Sequence, residues 1–183
     1  MTNEESQILT SCKEGDKTAF RWVVTTYQQR LFSVALKMLA DEEDAKDVVQ
    51  ETFIRVWQEF DRYDLRRSFS TWIYTITTRI CVNKLKHKRF TFASQKDVVS
   101  LKKSVDDFDG QRVLENKEWI LIIRLLTEDL SPKQRLVFSL SQIEGLTSAE
   151  VEQITGMSAS QVKSNLYLAR QTIRKRLKDL GYE

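Results

Sequence analysis

Apolar residues recur at three- and four-residue spacing along most of this chain, which is the period of amphipathic helices rather than strands. A short helix over residues 4–14 carries Ile8 and Leu9, and Gly15 breaks it. From Thr18 to Leu39, the positions Phe20, Val23, Val24, Tyr27, Leu31, Val34, Ala35, Met38 and Leu39 predict a helix facing a core. The next helix begins at Asp41, with Asp44 near its first turn where negative charge suits the helix dipole. Its stripe is Ala45, Val48, Val49, Phe53, Val56, Trp57 and Phe60, while Asp47, Gln50, Glu51, Ile54 and Arg55 fall on the other side. After a polar connection over residues 62–67, Ser68 and Ser70 are alternative N-caps for a long helix to about Lys88. Its buried stripe is expected to be Phe69, Trp72 or Ile73, Ile76 and Ile80. Thr71, Thr75, Thr78, Arg79, Asn83 and Lys86 form a polar, cationic face.

Periodicity fades after Phe92, and residues 93–112 predict a flexible linker rich in charge and turn residues. Asp106, Asp107 and Asp109 lack the spacing and terminal Glu of a calcium loop and fit an acidic connector. Beyond it, Trp119, Ile120, Ile122, Ile123, Leu125 and Leu126 make a strongly apolar helix, stopped at Leu130-Ser131-Pro132. A helix from Gln134 to Ile143 follows, then a short one from Ser148 to Thr155, a turn at Gly156, and a long basic helix from Ala159 to about Leu180. With five glycines and one proline in 183 residues, hairpins have few of the residues that favour them. The expected fold is all-α, with two small helical domains (1–92 and 113–183) joined by the linker.

The short helix, glycine turn and Ser158-capped second helix have the spacing of a helix-turn-helix, whose second helix lies in the DNA major groove. Val151, Ile154, Val162 and Leu166 would pack the pair. That leaves Ser160, Gln161, Lys163, Ser164, Asn165 and Tyr167 exposed, with Gln and Asn suited to adenine and Lys to guanine. An ordinary helical hairpin with a solvated face has the same spacing.

Charge is sorted along the chain in a way that the net of +3 conceals. Residues 41–61 hold eight acidic side chains against two basic ones, whereas residues 62–89 hold eight Lys or Arg against one Asp. A second cationic block of six lies between Lys163 and Lys178. Two basic surfaces suit a protein that holds DNA in two places, and the acidic surface between them would repel DNA and suit a protein partner. Solvated helix faces would give the same pattern block by block.

Other classes of function find little support. Cys12 and Cys81 lie far apart and His87 is the single histidine, so no metal cluster or disulfide framework can be written, and a reducing cytoplasm is expected. The acidic N-terminus is unlike a signal peptide, and no run of 18 apolar residues exists, so no membrane insertion is expected. There is no phosphate-binding glycine loop, and no enzyme activity, cofactor, metal or small-molecule substrate is expected.

Leu130-Ser-Pro-Lys-Gln-Arg-Leu-Val-Phe138, Glu144-Gly-Leu-Thr147 and Val162-Lys-Ser-Asn-Leu-Tyr-Leu-Ala-Arg170 resemble the promoter −35 binding domain of small, extracytoplasmic-function sigma factors. Independently, Asp44-Ala-Lys-Asp-Val-Val-Gln-Glu-Thr-Phe-Ile-Arg-Val-Trp57 and Phe69-Ser-Thr-Trp-Ile-Tyr-Thr-Ile76 resemble that family's core-polymerase-binding and −10 regions. The resemblance implies a transcription initiation factor with core RNA polymerase and promoter DNA as partners. It also implies an anti-sigma factor that would hold the chain at the membrane without inserting it.

The resemblance assigns polymerase docking to Asp47, Gln50, Glu51, Ile54 and Arg55. For the −10 element it implies Ser68, Phe69, Ser70, Thr71, Trp72, Arg79, Asn83 and Lys86, of which Phe69 and Trp72 are equally candidates for the core. For the −35 element it implies Ser158, Ser160, Gln161, Lys163, Ser164, Asn165, Tyr167 and Arg170. The sequence departs from the family pattern at Arg79, where Asn is usual, at Glu152, where a small Ala is usual, and at Asn165, where Arg is usual. The rival readings are an operator-binding dimer, for which the acidic helix has no use, and an interaction protein that keeps the fold without promoter activity.

Overall fold

The computed structural model describes residues 3–94 and 120–182, and every regular element among them is helical. The expected linker lies almost wholly outside the described residues, as do Asp106, Asp107, Asp109 and Trp119.

Helix α1 (Asn3–Lys13) buries Leu9 and Cys12. Asp16 then caps α2 (Lys17–Leu39), its carboxylate accepting from the Thr18 N–H at 2.7 Å and the Ala19 N–H at 3.3 Å. Seven residues of the predicted stripe, Val23, Tyr27, Leu31, Val34, Ala35, Met38 and Leu39, are buried. The helix ends on Ala40 in the left-handed region (φ 50°), which costs a non-glycine residue steric strain and turns its carbonyl out of the helix. Asp41 caps α3 (Glu42–Glu59) through the Asp44 N–H, and Glu42, Glu43 and Asp44 place negative charge on its first turn. A 3-10 turn (Phe60–Arg62) leads to α4 (Phe69–Ser94). Of the two alternative caps, Ser68 is the one used, accepting from the Thr71 N–H at 3.4 Å.

These helices pack around aromatic rings. Phe60 stacks on Phe69 at 5.7 Å and meets Phe20, Tyr63 and Trp72 edge-on. Such pairs add about 0.5–1.5 kcal/mol each beyond their buried area. One element of this core is polar: Thr52 on α3, at the centre of the predicted apolar stripe, is fully buried against Thr77 of α4.

The second half contains α5 (described over residues 120–127), α6 (Pro132–Phe138), α7 (Ser148–Thr155) and α8 (Ala159–Asp179). Three reciprocal capping boxes, Ser131 with Gln134, Thr147 with Glu150 and Ser158 with Gln161, start the last three helices. The expected helix from Gln134 to Ile143 is different in form. It starts earlier, with Pro132 in the first turn, and after Phe138 widens into a π-turn (Ser139–Ile143) closed by the Glu144 N–H on the Ser139 carbonyl at 3.2 Å. Gly156 ends α7 in the left-handed region (φ 69°), where a side chain would be strained, and lets the chain turn into α8. Val151, Ile154 and Val162 are buried between α7 and α8 with Leu166 partly so, as the helix-turn-helix reading expects.

The two halves share one continuous core, because Leu136, Val137, Leu140 and Ile154 join the cluster built on α2 and α4. This corrects the single-stripe view of α4. Thr78, expected on the polar face, is buried, and Tyr74 beside it as well, because the second half packs on that side of the helix.

Candidate nucleic-acid interface

Three surfaces carry the candidate residues, and each is set by the helix that presents it. On the outer face of α3, Asp47, Gln50, Ile54 and Arg55 are exposed and Glu51 is half-buried, all within about two and a half turns. Arg55 pairs with Glu51 one turn back. Asp47 reaches across to α4, where Lys84 donates to Asp44 at 2.9 Å and Asp47 at 3.1 Å. Burial works against the Lys84 charge, but hydrogen bonds to the two carboxylates outweigh it and hold the ammonium above the ordinary lysine range. Next to this polar strip, Phe20, Phe53, Ile54 and Trp57 line a shallow apolar hollow, with Ile54 49% exposed. Phe53 and Trp57, placed by periodicity in the core stripe, are only partly buried because α2 covers one edge of them.

At the start of α4 the structure gathers Ser68, Thr71, Trp72, Thr75 and Arg79 around a hollow of 730 Å³, together with Arg66 and Arg67 from the preceding loop. That loop is held by the Tyr63 hydroxyl donating to the Arg67 carbonyl at 2.6 Å and by the Arg66 N–H donating to Asp64 at 3.0 Å. Three guanidinium groups around an indole can hold phosphates and stack an unpaired base. Sequence reasoning left Arg66 and Arg67 out of the site, although the adjacent pair in the basic block was the available signal. Ser70 lies next door with Arg66, Arg67 and Ser68.

Phe69 is a correction. It is 1% exposed, clamped among Tyr27, Phe60, Tyr63 and Trp72, so its ring belongs to the core and is not free to stack on a base. Trp72 divides its faces: it stacks on Tyr63 and still lines the hollow. Further along α4, Arg79, Asn83 and Lys86 are exposed and line a second groove of 620 Å³ shared with Pro132, Lys133, Ile154 and Met157. Arg79 borders both spaces.

On α8, Ser158, Ser160, Gln161, Lys163, Ser164, Tyr167 and Arg170 are exposed and Asn165 is partly covered. Several polar groups are already engaged. Gln161 accepts from the Ser158 N–H at 3.0 Å, Asn165 donates to the Gln161 carbonyl at 2.8 Å, and Gln171 donates to the Tyr167 hydroxyl at 2.7 Å. Lys163 and Ser164, on the same turns, are exposed side chains outside these bonds. Among the described residues, no group of three or more His, Cys, Asp or Glu could hold a metal ion, and no helix is long and apolar enough to cross a membrane.

Comparison with known proteins places two family matches along the chain, Sigma-70 region 2 over residues 23–91 and Sigma-70 region 4 over residues 120–173. The chain is similar to the ECF RNA polymerase sigma factor SigW of Bacillus subtilis, 27% identical over 175 residues that cover 92% of this chain and 94% of the relative. It is also similar to the RNA polymerase sigma-H factor of Pseudomonas aeruginosa, 26% identical over 97% of this chain and 95% of the relative. Among solved structures, CnrH in complex with the cytosolic domain of CnrY shares the fold, with a TM-score of 0.72 at 21% identity over 96% of this chain and 97% of that one. The sigma factor RpoE bound to the anti-sigma factor NepR from Bartonella quintana shares it with a TM-score of 0.65 at 21% identity, over 87% of this chain and 96% of that one.

Proposed function

The chain belongs to the extracytoplasmic-function sigma factors of bacterial RNA polymerase, and from that premise we propose how its surfaces divide the work of promoter-specific transcription initiation. It is a non-enzymatic initiation factor. Residues 1–92 act as the unit that binds core polymerase and the −10 element, residues 93–112 as the connector, and residues 113–183 as the unit that binds the −35 element.

The observation that carries this reading is the pairing of an acidic, exposed α3 face with a cationic hollow at the start of α4, joined in one packed unit through Lys84. Asp47, Gln50, Glu51, Ile54 and Arg55 dock on the largest polymerase subunits, where an acidic strip beside an apolar hollow offers both steering and buried contact. Ser68, Ser70, Thr71 and Trp72, with Arg66, Arg67 and Arg79, take up the strand-separated −10 segment. Arginine at position 79 supplies only donors and a fixed charge, which suits phosphate, a guanine edge or stacking. Lys163 and Ser164, flanked by Ser160 and Arg170, contact the −35 duplex.

The likeness to structures solved with the cytosolic domain of CnrY and with the anti-sigma factor NepR supports an anti-sigma factor as a further partner. The working place of the protein is then the cytoplasm, where polymerase and promoter are, with the inhibitor able to hold it at the membrane.

The test is reconstitution with core polymerase. The purified chain is expected to co-elute with core enzyme and to confer transcription from a subset of promoters. The Arg79→Ala holoenzyme should retain −35 binding and give fewer permanganate-reactive, melted complexes. Normal melting by that variant would remove Arg79 from the −10 site, and failure to co-elute would remove the polymerase-docking surface.

A further inference from the structure

The 620 Å³ groove beside α4 draws its walls from both halves of the chain. Pro132, fixed in the first turn of α6 by the Ser131–Gln134 capping box, stands in one wall, and the turn at Gly156 sets Met157 in another. The inner lining is apolar. Leu136 and Ile154 are buried, and Val82 and Met157 are half-buried against the same core.

The exposed part of the lining is cationic. Arg79, Lys86 and Lys133 are exposed there, with the Asn83 amide among them. Among the described residues, no acidic side chain lines the groove and none of these three cations is held in an ion pair. Lys84 shows the contrast on the same helix, since Asp44 and Asp47 take its ammonium at 2.9 and 3.1 Å. A cleft with apolar walls and charges of one sign focuses its field and concentrates the opposite ion.

The polar groups inside are already engaged. The Thr78 hydroxyl donates to the Tyr74 carbonyl at 2.8 Å and the Thr155 hydroxyl to the Val151 carbonyl at 2.6 Å, so both protons are spent on their own helices. Ser131 Oγ accepts from the Gln134 N–H at 3.3 Å. A polar ring such as a nucleobase would leave its edge groups unbonded here, whereas a hydrocarbon chain has none to satisfy. The volume falls in the range of small-molecule sites, about 300–1,000 Å³.

We propose that this groove binds a small amphipathic anion, a saturated acyl chain ended by a carboxylate. The chain lies on Val82, Leu136, Ile154 and Met157, and Lys133, Lys86 and Arg79 hold the head group. The anion is bound unchanged. Because the walls come from both halves, an occupant stabilises their contact and with it the folded chain. The site asks only for the charge of Arg79 and Lys86, whatever their part in −10 binding, so either assignment can fail alone.

Decanoate below its micelle concentration is the probe, titrated into the full-length chain by calorimetry. One saturable site is expected. Acetate, which lacks the chain, should give no binding, and decanol, which lacks the charge, should bind about tenfold more weakly. Lys133→Glu reverses a charge at the mouth and leaves the apolar lining intact, and negative charge in the first turn of α6 suits that helix. The variant should therefore fold as the parent does, while decanoate affinity falls about tenfold or more. Lys133→Arg should keep it. Decanoate should raise the thermal unfolding midpoint of the parent and leave that of Lys133→Glu in place. No saturable binding by the parent would overturn the site. Equal binding by Lys133→Glu would move the anion elsewhere, for instance to the hollow of Lys17 and Trp57, and overturn it as well. Equal affinity for decanol and decanoate would overturn the anionic class of the ligand.

Discussion

Trp72 lies over Tyr63 with ring centroids 4.8 Å apart and planes 28° from parallel, and its indole also lines the hollow formed by Arg66, Arg67 and Arg79. One side chain thus belongs to the core and to the proposed −10 site at once. Trp72→Ala should destabilise the protein by about 3 kcal/mol, the usual scale for truncating a packed aromatic, and also weaken binding to a single-stranded −10 oligonucleotide. Trp72→Phe keeps a ring on Tyr63 and should recover most of the stability in urea denaturation. Full stability in Trp72→Ala would mean that the stacking contributes little to the core.

On α3, the double substitution Asp47→Lys with Glu51→Lys should weaken core polymerase binding in a pull-down while costing less than about 1 kcal/mol of stability, as expected for exposed ion pairs. Lys84 loses Asp47 but keeps Asp44 at 2.9 Å, so the α3–α4 seam holds. Undiminished capture of core enzyme by a folded variant would assign that face to solvent.

Lys163 and Gln161 stand two residues apart on α8 and should fail in different ways. Gln161→Ala removes half of a capping box, so it should lower stability by about 1 kcal/mol and leave base discrimination unchanged. Lys163→Ala should leave stability unchanged and reduce the salt dependence of −35 duplex binding by about one in the log–log slope if it meets phosphate. A loss of discrimination in Gln161→Ala would show that the cap also reads bases.

Five buried acids set a limit at high pH, among them Tyr74, which burial and then Glu144 push well above the ordinary tyrosine range. Burial, with Asp16 adding, pushes the Cys12 thiol up to about 11, and burial alone leads in raising Cys81 to about 12, from an ordinary 9.0. Burial, with Glu5 next, raises Tyr27 and Tyr63 from 10.0 to about 12. Above pH 9 the unfolded chain releases protons that the folded chain retains, so stability is whole below that point and falls as pH rises towards 12. Urea midpoints should decline between about pH 8 and about pH 10.5 with no change in the denaturant slope. A flat midpoint would mean that these groups ionise in place.

Much of this was legible in the chain because local rules and tertiary packing agree. The three capping boxes are written as Ser-x-x-Gln, Thr-x-x-Glu and Ser-x-x-Gln, and the outward set on α3 follows from the 3.6-residue period. What was not legible depends on partners distant in sequence. Periodicity finds one apolar stripe per helix, so it cannot show that α4 is buried on two sides, and it leaves Tyr74 and Thr78 unexplained. Thr52 breaks its stripe as a polar residue, yet its hydroxyl donates to the Val48 carbonyl at 2.7 Å and faces Thr77 of α4. Gln161 has the chemistry of a base-reading side chain as well as of a cap, and the structure shows its amide oxygen taken by the Ser158 N–H.

The π-turn at Ser139–Ile143 carries one residue more than an α-helix would need over the same rise. Deleting a single residue there would tighten α6 into a regular α-helix of about the same rise, so the chain would leave the helix at nearly the same place with one side chain fewer on the way. The caps at Thr147 and Ser158, which lie downstream and depend only on neighbours three residues away, would form as before. The wide turn is thus a slack loop of helix, able to absorb a one-residue change in length without moving the pair of helices that follows it.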